Sequence, residues 1–189
     1  ELRPTRGDAY GYPGNYQQQY PAVAAALAQS WGAEPSAVQS LQTVSGRAAL
    51  DFAFRGLLAR ARARGLRGRP AVILDPLAWS GYQPLAADLD LVLVNAPALG
   101  EGLAASAEGL REALAFAEAQ GLDPIAVLPI LPSNPAGVGL GAQALQALVE
   151  AAASVDLPVL IDAFYSPLAP EGHPAAVSLE VLQRVLAPE

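Results

Sequence analysis

Ile125-Ala126-Val127-Leu128 is an unbroken apolar run. Pro129 and Pro132 close it, and the polar turn Ser133-Asn134-Pro135-Ala136-Gly137 follows. A strand with one wet face alternates polar and apolar residues; a continuous run suits a strand buried on both faces, as in a parallel sheet covered by helices. The same signature recurs on either side. Ala71-Val72-Ile73-Leu74 ends at Asp75-Pro76, Leu91-Val92-Leu93-Val94 ends at Asn95, and Pro158-Val159-Leu160-Ile161 ends at Asp162. Helical spacing fills the intervals. Leu103, Ala107, Leu110, Leu114 and Ala117 fall three or four apart, as do Leu145, Leu148, Val149 and Ala152. Further helices are expected over Ala22–Ser30, Arg47–Arg64 and Val177–Leu186, with a short alternating strand over Val38–Val44. The pattern predicts an α/β fold of three layers, α/β/α, around a mainly parallel sheet.

The 189 residues suit about one domain, and 52% hydrophobic with 15% charged residues excludes a disordered tail. No apolar stretch approaches the ~20 residues of a membrane span, and no signal-peptide pattern opens the sequence. A net charge of −7 argues against nucleic acid or an anionic membrane as the main partner. Cysteine is absent, which removes disulfides, thiolate nucleophiles and Cys-ligated metals and fits a cytoplasmic protein. His173, in a loop-like Pro170–Pro174 segment, is the single histidine, so neither a histidine pair nor a multi-histidine metal site can form. All eleven basic residues are arginine, and no lysine amine is available for a Schiff base. A sequence without methionine that begins at Glu1 is expected to be part of a longer translation product. Six arginines between Arg55 and Arg69 read as a solvated helix face or as a functional basic patch.

In open α/β sheets ligands bind beyond the carboxyl ends of the strands, and the polar clusters here sit at such ends. Ser45-Gly46-Arg47 opens the helix expected from Arg47; free N–H groups and a bare Gly46 make it either a phosphate cradle or an ordinary N-cap. Ser133-Asn134-Pro135-Ala136-Gly137 is a turn or a loop that fixes an amide donor. Asp162-Ala163-Phe164-Tyr165 places a carboxylate where burial is costly without a partner. It could cap the next turn, or face a cationic ring nitrogen, worth roughly 4 kcal/mol at ~4 Å and an effective dielectric of about 20. Trp79, after the Ala71 run, is a core residue or a stacking face for a flat ring.

Together these pieces resemble the class I/II aminotransferases, the fold-type I enzymes that use pyridoxal 5′-phosphate (PLP), over nearly the whole chain. Gln42-Thr43-Val44-Ser45-Gly46-Arg47-Ala48-Ala49-Leu50 is similar to the phosphate-loop segment, and Asp75–Tyr82 to the segment carrying the ring-stacking aromatic. Leu131-Pro132-Ser133-Asn134-Pro135-Ala136-Gly137-Val138 is similar to the Asn-Pro-Thr-Gly motif, and Asp162-Ala163-Phe164-Tyr165 to the Asp-x-x-Tyr motif, in the family's order and at its interval.

The resemblance implies roles. Asp162 pairs with the protonated ring nitrogen, Asn134 and Tyr165 bond the ring's phenolic oxygen, and Trp79 stacks. Ser45, with the Gly46 and Arg47 N–H groups, holds the phosphate, while Tyr10 or Tyr12 reaches a neighbouring subunit's phosphate. It implies amino acid and 2-oxo acid substrates, and a homodimer or a complementing segment as partner. It also implies a division into residues 1–34, an N-terminal loop and helix, and 35–189, a partial PLP-binding large domain without its small domain. Departures are Ala136 in place of the usual Thr, and Arg47 where a small or polar residue is usual. Arg47 either adds charge at the phosphate or points away. The family's Schiff-base lysine lies on a later strand, so no catalytic residue is assigned within this sequence. The two functional expectations are an aminotransferase represented by an incomplete large domain, and an inactive remnant serving as a binding or structural module.

Overall fold

The computed structural model describes residues 25–26, 41, 43–98 and 103–165. Helix α1 (Gly46–Ala63) starts where Ser45 is extended (φ −165°, ψ 163°) and its Oγ accepts the Ala48 N–H. Arg60 and Arg62 in its last turn favour the negative end of the helix dipole. Its inward residues, Phe54 and Leu58, are four apart and buried. Strands β1 (Arg69–Leu74), β2 (Val92–Asn95) and β3 (Leu122–Leu128) form a parallel sheet in the order β2-β1-β3. At Gly68, entering β1, a Cβ would lie 2.5 Å from the Gly121 carbonyl oxygen, so the two strands enter side by side only with glycine there.

Side chains alternate across the sheet, and each face is covered. Ala71, Ile73, Val94 and Val127 pack against Leu110 and Ala113 of α3 (Ala107–Ala119) and Leu145, Leu148 and Ala152 of α4 (Ala142–Ala153). Val72, Leu74, Ile125 and Leu128 pack against Phe54 and Leu58 of α1 and Tyr82, Leu85 and Ala86 of α2 (Tyr82–Ala87). Burial of each large side chain contributes roughly 1.5–3 kcal/mol. This is the three-layer α/β/α arrangement. Ile125 and Val127 belong to opposite faces because of a bulge. Ala71 pairs with Pro124 and Val72 with Ala126, leaving Ile125 as the extra residue beside a proline that has no N–H to give.

Several boundaries differ from the sequence reading. The segment before Ser45 carries no strand at Leu41, Thr43 or Val44, and the rest of Val38–Val44 lies outside the described residues. Leu103 is not helical; α3 begins after Ser106, whose Oγ accepts the Gly109 N–H. The fourth apolar run does not make a regular strand. It lies parallel beside β3 through isolated bridges, Val127 to Val159 and Ile130 to Asp162, because a single flanking neighbour supplies the pairing that is described. Helix α2 was not expected, since six residues containing Pro84 show no helical period. Only Ala25 and Ala26 of Ala22–Ser30 are described, as helix; Val177–Leu186, Tyr10, Tyr12 and His173 lie outside the described residues. The arginines after Arg55 are largely surface ion pairs: Arg55 with Asp51, Arg60 and Arg64 with Asp156, and Arg69 with Asp90. Such pairs contribute little to stability.

Candidate functional site

Two connections at the carboxyl end of the sheet build the site. After β3, the Leu131 N–H donates to the Asp162 carbonyl (2.8 Å) and the Asp162 N–H donates to the Pro129 carbonyl (3.0 Å). These bonds pin the backbone of Asp162 to the rim. The loop that follows is closed by buried Ser133. Its N–H donates to the Val138 carbonyl (2.7 Å), its carbonyl accepts from Gly137 (2.7 Å), and its Oγ accepts from Val138 (3.2 Å). Asn134 sits half-buried at the mouth of this loop. The Leu131–Pro132 and Asn134–Pro135 peptide bonds are cis.

The second connection follows β1. Asp75 is fully buried; its Oδ1 accepts the Ala105 N–H (2.9 Å) and its Oδ2 accepts the Ile130 N–H (3.0 Å). Its backbone carbonyl accepts from the Asn95 side-chain amide (2.7 Å). Burial pushes the Asp75 carboxyl up to about 6, against the two N–H bonds that favour its ionised form. Beyond it the chain turns so that Trp79 meets Tyr82 edge-to-face, with ring centroids 5.5 Å apart. At Gly81 between them a Cβ would fall 2.3 Å from the indole, so this turn of the aromatic pair needs glycine.

Tyr82 carries the link. Its hydroxyl donates to Asp162 Oδ2 at 2.6 Å, while Asp162 Oδ1 accepts the Phe164 N–H at 3.1 Å. Burial first, and the Asp162 carboxylate second, push ionisation of the Tyr82 phenol above its ordinary value, so at neutral pH it is the donor of that bond. On the other side, the Arg47 guanidinium lies over the Trp79 ring, 5.7 Å from its centroid. A cavity of about 480 Å³ opens here, lined by Gly46, Arg47, Trp79, Tyr82, Asn134, Asp162 and Tyr165 among others. That size lies within the range of small-molecule sites.

The structure thus brings six of the seven expected residues to one cavity. Ser45 is the exception: it adjoins the cavity through Gly46, but its hydroxyl is engaged as the cap of α1. Arg47 lines the cavity rather than pointing away from it. Sequence reasoning did not give Tyr82 a role. The signal available was its position three residues, nearly one helical turn, beyond Trp79. Among the lining residues Asp162 is the single carboxylate and Arg47 the single cation. A flat ring with a protonated nitrogen and a phosphate carries the complementary pair of charges, and Trp79 supplies an aromatic wall. The donor set therefore fits PLP.

The model of the family described as aminotransferase class I and II matches residues 11–186. Among solved structures the chain is similar to the aspartate aminotransferase from Thermus thermophilus with maleate, at 24% identity and TM-score 0.61, covering 86% of this chain and 43% of that one. It is also similar to an aminotransferase from Mycobacterium tuberculosis (22% identity, TM-score 0.57, 82% of this chain and 39% of that one). A third is the N-succinyldiaminopimelate aminotransferase of that organism (27% identity, TM-score 0.55, 74% of this chain and 34% of that one). The chain spans less than half the length of each of these. A comparison with curated proteins finds no match. No described helix is long and apolar enough to cross a membrane.

Proposed function

Because the chain belongs to the aminotransferase class I and II family, whose cofactor is PLP, we propose that it forms the cofactor-binding face of a PLP-dependent aminotransferase large domain. The observation that carries the reading is the single acid, single cation and indole wall lining one cavity at the sheet's carboxyl rim. In this reading Asp162 accepts the ring N–H and keeps the ring cationic. The Tyr82 hydroxyl, already donating to Asp162, fixes the carboxylate in place. Asn134 and Tyr165 hydrogen-bond the phenolic oxygen, and Trp79 covers one ring face. The first turn of α1 holds the phosphate with its free N–H groups, aided by Ser45, Gly46 and Arg47. Bound there, PLP would supply an electron sink that acidifies the Cα–H of an amino acid.

The reaction is exchange of an amino group between an amino acid and a 2-oxo acid, in a homodimer or with a complementing segment that supplies a lysine. Residues 1–34 are assigned to an N-terminal loop and helix and 35–189 to the partial large domain. A second reading is an inactive binding or structural module of the same fold; in either reading none of the 189 residues is lysine. In both readings the 189-residue chain alone transfers no amino group. Equilibrium dialysis with PLP tests the cofactor role. Uptake by the wild type that falls at least about tenfold in Asp162→Ala is expected; equal, negligible uptake by both proteins rejects it. Transamination restored by adding a lysine-bearing partner segment favours the first reading over the second.

A further inference from the structure

This inference rests on the PLP reading above and concerns Arg47. Arg47 is the second residue of α1, exposed, and forms no ion pair with any described residue. Its guanidinium lies over the Trp79 indole, and both side chains line the cavity. A flat ring stacked on the cavity side of that indole competes with the guanidinium for the same surface. The chain has no lysine, and no other cation lines the cavity. An anionic group entering beside α1 therefore meets one exposed positive charge, and that charge is the group covering the stacking surface.

We infer that Arg47 makes this site selective for phosphorylated over unphosphorylated flat aromatic ligands, covering Trp79 until a phosphate draws the guanidinium aside. The exchange is favourable only for a ligand bearing the phosphate. A charge-assisted bond to phosphate is stronger than a solvent-exposed cation–π contact. A ring without phosphate must displace the guanidinium and gains no ionic contact in return. The planar fork of Arg suits both positions, since it stacks on an aromatic face and also grips phosphate oxygens.

The test compares PLP with pyridoxal, its phosphate-free counterpart, by equilibrium dialysis against wild type, Arg47→Ala, Arg47→Lys and Asp162→Ala. Wild type is expected to prefer PLP by at least about tenfold. Arg47→Ala should lower that preference severalfold, through weaker PLP uptake and stronger pyridoxal uptake; pyridoxal uptake that stays at the wild-type level would overturn the covering of Trp79. Arg47→Lys should retain the preference through its charge, and Asp162→Ala should weaken both ligands alike. If Arg47→Ala keeps the wild-type preference while Asp162→Ala weakens both ligands, the inference about Arg47 is overturned and the reading of the site stands. If wild type takes up neither ligand, both are overturned.

Discussion

Two aspartates close two extended segments on the same rim of the sheet, and the protein uses them differently. Asp75, at the end of β1, has no exposed surface, and both its oxygens accept backbone N–H groups from loops leading into α3 and out of β3. Its carboxylate is consumed by the fold. Asp162 receives one backbone N–H and one phenol and still lines an open cavity. Each carboxylate oxygen can accept more than one donor, so Asp162 keeps capacity for a ligand. Position at a strand end is shared, and so is one protein donor on each oxygen; what separates a tie from a site is whether the carboxylate is sealed in the fold or open to a cavity. The two are coupled, because Asp75 holds the N–H of Ile130, the residue bridged to Asp162.

The contrast can be broken most forcefully at Asp75. Asp75→Ala leaves two buried N–H groups without acceptors and is expected to lower unfolding free energy by about 2–4 kcal/mol in denaturant titrations, whereas Asp162→Ala lowers it by about 1 kcal/mol. Equal losses would mean that both aspartates are structural. The same pair separates by pH. Asp75 is raised from 3.8 to about 6 in the folded protein, so the folded state binds the extra proton between those values. Its contribution is greatest below about pH 4 and falls by about 3 kcal/mol as pH rises through 6. The stability gap between wild type and Asp75→Asn should change by that amount across this window; a flat gap would remove the buried titration. Tyr82→Phe sharpens the other side. It removes the donor to Asp162, lowers stability by about 1 kcal/mol and weakens PLP uptake a few-fold. An effect on stability with none on uptake would make the bond purely structural. At the far end of the scale, Asp51→Ala breaks the exposed pair with Arg55; the unfolding midpoint should not move measurably.

Much of this was legible in the sequence because it depends on local pattern. The apolar runs at 71–74, 91–94 and 125–128 became paired strands, the second of them from Val92, and the spacings of Leu110, Ala117, Leu145 and Leu148 became buried helix faces. The residues that follow the runs at 71–74, 125–128 and 158–161 marked the rim, where Trp79, Asn134, Asp162 and Tyr165 share a cavity with Gly46 and Arg47 from the start of α1. What escaped depends on contacts distant in the sequence. The bulge at Ile125 is a matter of register between β1 and β3. The burial of Asp75 depends on N–H groups 30 and 55 residues away. Tyr82 meets Asp162 across 80 residues. The loose pairing of Val159 and Asp162 reflects neighbours, which a continuous apolar run cannot reveal.

The central claim is that the carboxylate of Asp162 faces the ring nitrogen of a bound PLP. A crystal structure of the protein soaked in PLP tests it most directly. The ring is expected against Trp79 with its nitrogen within about 3 Å of an Asp162 oxygen. A ring bound elsewhere, or one whose nitrogen points to solvent while Asp162 keeps only Tyr82 and Phe164 as partners, would contradict it.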